Sequence, residues 1–247
     1  MLCPEPILAC AVHQHKRLVQ LGVCGCVPAP YDGRVMKRAG RKIGILGGTF
    51  NPVHAGHMEL ARQAMRRFDL SGILFIPCAQ PPHKAAPDLV ADKHRLAMLR
   101  EAIRREPRFS VSDMELKRGG VSYSIDTLHA LRRRRPRDQY FFIIGADMLA
   151  ELHLWKNIYE LLGLCEFVTM VRPGTETGRL RIPLKAPWPE RLRANLFKGP
   201  LLDISSRNIR ARVRRGWRID HLVTAAVDRY IQRHSLYRKK EKERSKR

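Results

Sequence analysis

From residue 42 the chain alternates short apolar runs with longer stretches whose apolar residues return every three or four positions. "KIGILGG" (42–48), "GILFIP" (72–77), "RFSVSD" (108–113), "YFFIIG" (140–145), "EFVTMV" (166–171) and "PLLDIS" (from residue 200) read as strands. The intervening pattern is helical. Residues 57–68 place Ala61, Ala64, Met65 and Phe68 on one face, and residues 91–105 do the same with Leu96, Leu99 and Ile103 before Pro107 stops them. Ser124 is placed to cap a helix over 125–135, whose "RRRR" end suits the negative pole of the helix dipole. Further helices are predicted around 155–162, at 206–215 and at 221–234, while the proline-rich "PCAQPPHKAAP" must be a loop.

Strands alternating with helices of this length predict the α/β class: a doubly wound parallel sheet with helices on both faces, in a single domain. Ligands of such sheets sit beyond the carboxyl ends of the strands, near the point where the strand order reverses. The predicted domain runs over 36–237, with Met36 opening "MKRAGRKIGILGGTF". Residues 1–35 are expected to be a poorly ordered extension, since Pro4, Glu5 and Pro6 break the apolar start that a signal peptide needs. Residues 238–247 form a basic tail. No uninterrupted apolar run approaches the length of a membrane span. Four of the six cysteines fall in the first 26 residues, and Cys78 and Cys165 sit in apolar surroundings. Neither a disulfide framework nor a spaced zinc pair is indicated, which fits a cytoplasmic protein.

Charge sharpens this picture. The net charge is +24, of which the last ten residues supply +5 and the first 35 about +1. The excess therefore belongs to the folded body, and it attracts anions from nucleotides to RNA. A generally basic proteome gives the same balance.

Chemistry concentrates at two places. "GILGGTFNPVHAGH" (44–57) ends a strand in Gly47 and Gly48 and then sets His54 and His57 three apart at a helix start. Glycines permit close approach and positive φ, the first turn of a helix offers free N–H groups to an anion, and imidazoles donate to phosphate. A protonated ring would stabilise charge on a leaving pyrophosphate. A zinc pair and ordinary surface histidines are the competing readings, although no further zinc ligands lie nearby. The second place is "ISSRNIRARVRRG" (204–216). Ser205 or Ser206 caps a helix, Arg210 lies one turn in, and Gly216 closes the end. Simple capping and a triphosphate cradle both explain it.

Together these segments resemble a known family. "GGTFNPVHAGH" is similar to the (T/H)xGH signature of nucleotidyltransferases, and "ISSRNIR" to their closing ISSTxIR. "PPHK" (81–84), "GVSYSIDTL" (120–128), "FIIGADML" (142–149), "LWK" (154–156) and "VDRYIQRHSLY" (227–237) follow in the order of bacterial nicotinate-nucleotide adenylyltransferases. The resemblance spans Lys42 to Tyr237 and implies a Rossmann-like catalytic domain. It implies adenylyl transfer from ATP, with Mg²⁺, to nicotinate mononucleotide by direct attack. In this resemblance Gly47, Gly48, Thr49 and Phe50 line the nucleotide turn, and His54 and His57 hold the phosphates. Ser205, Ser206 and Arg210 grip the outer phosphates, with Arg210 counted beside the histidines as catalytic. Gly145 and Asp147 meet the ATP ribose. Lys84, Ser124 and Trp155 face the acceptor, Trp155 as a stacking partner for the pyridine ring. No protein metal site is implied.

Three departures stand out: Asn51 for the commoner Asp, Arg207 for the Thr of ISSTxIR, and "HLVT" (221–224) without the usual proline. The nearest alternatives are sister activities on the same fold: adenylyl transfer to the amide mononucleotide or phosphopantetheine, or cytidylyl transfer to a sugar or glycerol phosphate. His54 argues against phosphopantetheine, whose enzymes carry Thr there. An RNA-binding protein is the alternative from another class, but the sequence shows no stacking platform or nucleic-acid module, so no dedicated nucleic-acid or membrane partner is expected.

Overall fold

The computed structural model describes residues 40–82, 88–171, 173–199 and 204–238, which belong to one compact unit, Ala39–Arg247. The expected extension over 1–35, the tail beyond Arg238, Lys84 and residues 200–203 lie outside the described residues.

In β1 (Lys42–Gly48) the neighbours Ile45 and Leu46 are both buried, in different core clusters. A strand's side chains alternate between faces, so two adjacent buried residues require a sheet covered on both. The chain supplies that cover in sequence: α1 (Ala55–Arg67), β2 (Gly72–Pro77), α2 (Asp92–Ile103), β3 (Phe109–Val111), α3 (Met114–Arg118), α4 (Ser124–Arg134) and β4 (Gln139–Gly145). After a 3₁₀ segment, Ala146–Leu154, come α5 (Ile158–Leu164), β5 (Glu166–Val171), α6 (Trp188–Ala194), β6 (Leu196–Lys198), α7 (Ser206–Arg214) and α8 (Ala225–Arg233).

The six strands are all parallel, in the order β3-β2-β1-β4-β5-β6. One cluster joins Leu46, Phe75 and Val168 to Met58, Ala61, Leu99, Val227 and Ile231, which come from α1, α2 and α8. The other joins Ile45, Ile76, Phe142 and Phe167 to Ile125, Leu128 and Leu161, from α4 and α5. The strand order reverses between β1 and β4, and a crevice opens there at the carboxyl ends.

Several expectations change. Ser124 is the first residue of α4 rather than its cap; Tyr123 stands at the cap position, without a side-chain hydrogen bond. The sixth strand lies at Leu196–Lys198, upstream of the "PLLDIS" run. The helix expected around 155–162 begins only at Ile158, because Trp155 is extended and Asn157 takes φ 51°, a left-handed conformation that asparagine tolerates. Gln80 also bridges to Val121, tying the proline-rich loop to the segment before α4. The missing proline of "HLVT" is compensated, since the Thr224 hydroxyl accepts the Val227 N–H and caps α8.

Candidate active site

The crevice is a cavity of about 420 Å³. Gly47, Gly48, Thr49 and His57 line it from the β1–α1 turn. Ser124, Gly145, Asp147 and Trp155 line it from the opposite side. Both groups lie at the carboxyl ends of the two central strands, which is why residues almost 100 positions apart meet.

Gly47 and Gly48 are extended, and the positive φ of this turn falls on Phe50, at 46°. A Cβ on Gly47 would come no closer than 4.0 Å to another atom. Packing therefore does not demand glycine, and the bare backbone leaves space on the cavity side. Phe50 differs from its sequence expectation: its ring is 1 % exposed, does not line the cavity, and packs edge-on at 5.1 Å against His57. Its side chain supports the His57 imidazole.

His54 occupies the N-cap of α1, and His57 lies in the first turn. Their rings lie 3.7 Å apart, tilted by 31°. His57 Nδ1 accepts the backbone N–H of His54 at 3.2 Å, so in the neutral ring Nε2 carries the proton. Burial holds His54 down at about 4 and pulls His57 well below the usual histidine range, with the neighbouring ring adding to the effect. The protonated imidazole expected from the sequence is thus not the state of the free protein at neutral pH; both rings are neutral donors. Gly56 permits this packing, since a Cβ there would sit 3.1 Å from His54 Nδ1.

Residues Asn51–Pro52 join this turn to α7. The Ser206 hydroxyl donates to the Pro52 carbonyl at 2.8 Å, and Arg210 Nη1 donates to the Asn51 carbonyl at 2.8 Å. Ser205 caps α7 by accepting the Asn208 N–H. These three residues and His54 lie beside the cavity and do not line it. Among the described residues four buried polar side-chain atoms lack a partner, and two of them, His54 Nδ1 and Arg210 Nε, belong to this wall. Burial also pulls the Arg210 guanidinium below its usual value.

Asn51 makes contacts that the commoner Asp could not all make. Its Nδ2 donates to the Asp88 carbonyl at 2.9 Å, while its Oδ1 accepts the buried Tyr237 hydroxyl at 2.9 Å. The end of the "PPHK" loop and the end of the described chain are thereby fastened to the histidine turn. Arg207, the other departure, is exposed.

On the opposite wall Trp155 stands edge-on to Phe142 at 5.8 Å and to Phe167 at 6.0 Å. Asp147 Oδ1 lies 2.6 Å from where a Gly145 Cβ would be, so only glycine lets the carboxylate fold back there.

Sequence reasoning missed several residues. Arg95, 0 % exposed, donates to the carbonyls of Thr49 at 2.9 Å and Cys78 at 2.7 Å, clamping the ends of β1 and β2 together. Glu115, on the unpredicted α3, reaches the cavity and accepts the Thr127 hydroxyl; burial pushes its carboxyl up. Lys156 also lines the cavity, with its Nζ 4.5 Å above the Tyr123 ring and 3.6 Å from Asp126. The "LWK" motif contained that lysine, but nothing in its spacing showed that Tyr123 would lie beneath it.

Comparison with known proteins agrees with this geometry. The sequence profile of the Cytidylyltransferase-like family matches residues 45–212. A protein of Synechococcus sp. (strain JA-3-3Ab) named probable nicotinate-nucleotide adenylyltransferase is 41% identical over 200 residues, covering 80% of this chain and 95% of the relative. One so named from Opitutus terrae is 42% identical over 198 residues, covering 80% and 98%. In fold, the chain resembles nicotinic acid mononucleotide adenylyltransferase of Plasmodium falciparum complexed with NaAD. That likeness has a TM-score of 0.63 at 18% identity and covers 80% of this chain and 97% of that one. With this extent of similarity, and a crevice built from the signature residues at the strand switch point, the chain belongs to the nicotinate-nucleotide adenylyltransferase family of cytidylyltransferase-like enzymes.

Proposed function

We propose that the protein transfers the adenylyl group of Mg-ATP to nicotinate mononucleotide, forming deamido-NAD and pyrophosphate in NAD biosynthesis. The observation that carries the reading is the wall formed by His54, His57 and α7. It holds two stacked neutral imidazoles and the unpartnered buried atoms His54 Nδ1 and Arg210 Nε, beside a cavity whose glycines leave room for a nucleotide.

In this reaction a phosphate oxygen of the mononucleotide attacks the α-phosphorus of ATP. One P–O bond forms as the bond to the β-phosphate oxygen breaks, and pyrophosphate leaves with the electron pair. No covalent enzyme intermediate is required. The chain's part is to position the reactants and stabilise the leaving charge. His57 donates through Nε2, and His54 lies stacked behind it. Ser205, Ser206, Arg210 and the free N–H groups of α7 receive the outer phosphates. Gly145 and Asp147 are assigned to the ribose. Ser124, at the first position of α4 on the cavity lining, and Trp155 are assigned to the nicotinate ring, and Lys84 to the acceptor phosphate.

Among the described residues no group of three or more metal-ligating side chains occurs. This donor set fits a Mg²⁺ ion held chiefly by phosphate oxygens and water, with Asp147 and Glu151 among the carboxylates that line the cavity. Such an ion would neutralise charge on the polyphosphate. No described helix is long and apolar enough to cross a membrane, and we assign the reaction to the cytoplasm.

Pyrophosphate release by the purified protein, with Mg-ATP and either nicotinate mononucleotide or its amide, tests the reading. Preference for the acid supports it. Equal rates would remove the acceptor roles of Ser124 and Trp155, and turnover with neither would refute it.

A further inference from the structure

A second and separate cavity, of about 610 Å³, lies at the other end of α7 and shares no lining residue with the first. Its rim carries Trp217, which is 51 % exposed. The turn that presents this ring is rigidly built. The Gly216 N–H bonds to the Val213 carbonyl and the Trp217 N–H to the Arg212 carbonyl, each at 3.0 Å, and Gly216 takes φ 72°. This pair of bonds is the Schellman closure of a helix, in which the residue after the glycine ordinarily makes an apolar contact with the residue five back. Here that contact is a cation–π stack. The Arg212 guanidinium lies 5.5 Å from the Trp217 ring centroid, and Arg215 lies 4.9 Å from it.

A guanidinium stacked through its face keeps N–H groups at its edge, and that edge matches phosphate; Arg212 gives its Nε–H to the Arg218 carbonyl at 3.0 Å, which leaves its terminal nitrogens for the anion. The surroundings favour an anion. Residues 204–238 contain nine arginines against two aspartates, Asp220 and Asp228. Both aspartates line the cavity: Asp220 is paired with Arg218 and His221, while Asp228 accepts the neutral Gln232 amide and keeps its charge, which the arginines outnumber. Arg238, also on the lining, leads in sequence into nine residues with six lysines and arginines.

We propose that this surface binds single-stranded nucleic acid. The Trp217 ring exchanges one of its two stacked guanidiniums for an unpaired base, and the displaced arginine joins the other and the adjoining basic residues in taking the flanking phosphates. Stacking on an aromatic ring within a positive groove is the common means of holding single strands, whereas duplexes bury their base faces. The exposed stacking platform that the sequence did not show is supplied by the closing turn of α7.

Full-length protein is titrated into a labelled single-stranded oligonucleotide about ten nucleotides long, a typical site size, with saturating Mg-ATP present and anisotropy as the readout. The single strand should bind about tenfold tighter than the matching duplex, Trp217→Ala should abolish that advantage, and Arg215→Gln should lower the salt dependence by about one phosphate contact. Pyrophosphate release should be unchanged in both variants. Equal affinity for strand and duplex, or no effect of Trp217→Ala, would overturn the proposal in favour of charge alone. Displacement of the strand by Mg-ATP would overturn it by placing the strand in the nucleotide cavity. Self-association that Trp217→Ala abolishes, without strand binding, would make the surface a contact between copies of the chain. Should Trp217→Ala fail to fold, an unaltered salt dependence in Arg215→Gln is the contradicting result.

Discussion

The two walls of the catalytic cavity are built differently. The β1–α1 wall comes largely from one continuous stretch, Gly47–His57, and its polar groups bind one another: His57 to His54, Arg210 to Asn51, Ser206 to Pro52. The opposite wall is gathered from three segments around Tyr123, Gly145 and Trp155, with ring edges and a lysine over an aromatic face as its contacts. A wall built from one stretch with fixed donors suits the part of the substrates that is always the same, the phosphates. A wall gathered from several segments and lined by aromatic rings suits the part that defines the acceptor. Under the proposed reaction the chemistry divides accordingly: the first wall is assigned to rate and the second to choice.

The strongest test of the first wall is His57→Ala. Losing a donor aimed at developing phosphate charge should lower kcat by about 10²–10³ with either acceptor, measured as pyrophosphate release at a temperature where the variant is folded, because the ring also packs on Phe50 and accepts the His54 N–H. A loss confined to the KM of one acceptor would dissolve the distinction between the walls.

Acid sharpens the same point. His54 titrates near 4 when folded and near 6.5 when unfolded. Above 6.5 neither state binds the proton, so its neutral burial costs nothing there. As pH falls from 6.5 towards 4 the unfolded chain takes up the proton first, and stability is lost, by about 3 kcal/mol from this group alone. Denaturant midpoints recorded against pH should show that slope, and His54→Asn should flatten it.

Trp155→Ala addresses the second wall. The KM for nicotinate mononucleotide should rise about tenfold, the scale of one lost aromatic stack, with kcat at saturation nearly preserved. The smallest effect belongs to Tyr237→Phe. It leaves the buried Asn51 oxygen with only a long 3.4 Å contact from the Val90 N–H and should cost about 1 kcal/mol in unfolding free energy.

The same contrast decides what the sequence could reveal. The sheet was legible because both faces are covered, so β1, β2, β4 and β5 are nearly unbroken apolar runs. The first wall was legible because its residues are close in sequence. What was hidden depends on tertiary contact. The neutral state of the histidines follows from burial, and the inward turn of Phe50 from its left-handed backbone. Arg95 sits within an ordinary helical pattern and shows its role only where β1 and β2 end side by side. The short α3 and α6 carry too few turns for a periodic signal. Tyr123 and Lys156 are 33 positions apart and meet only where their segments pack together into one wall.

The division of labour is tested most directly by one ratio: kcat/KM for nicotinate mononucleotide over kcat/KM for its amide, measured in the wild type, His57→Ala and Trp155→Ala. His57→Ala should lower both values together and leave the ratio unchanged, whereas Trp155→Ala should lower the ratio. A ratio that shifts in His57→Ala and holds in Trp155→Ala would contradict that division.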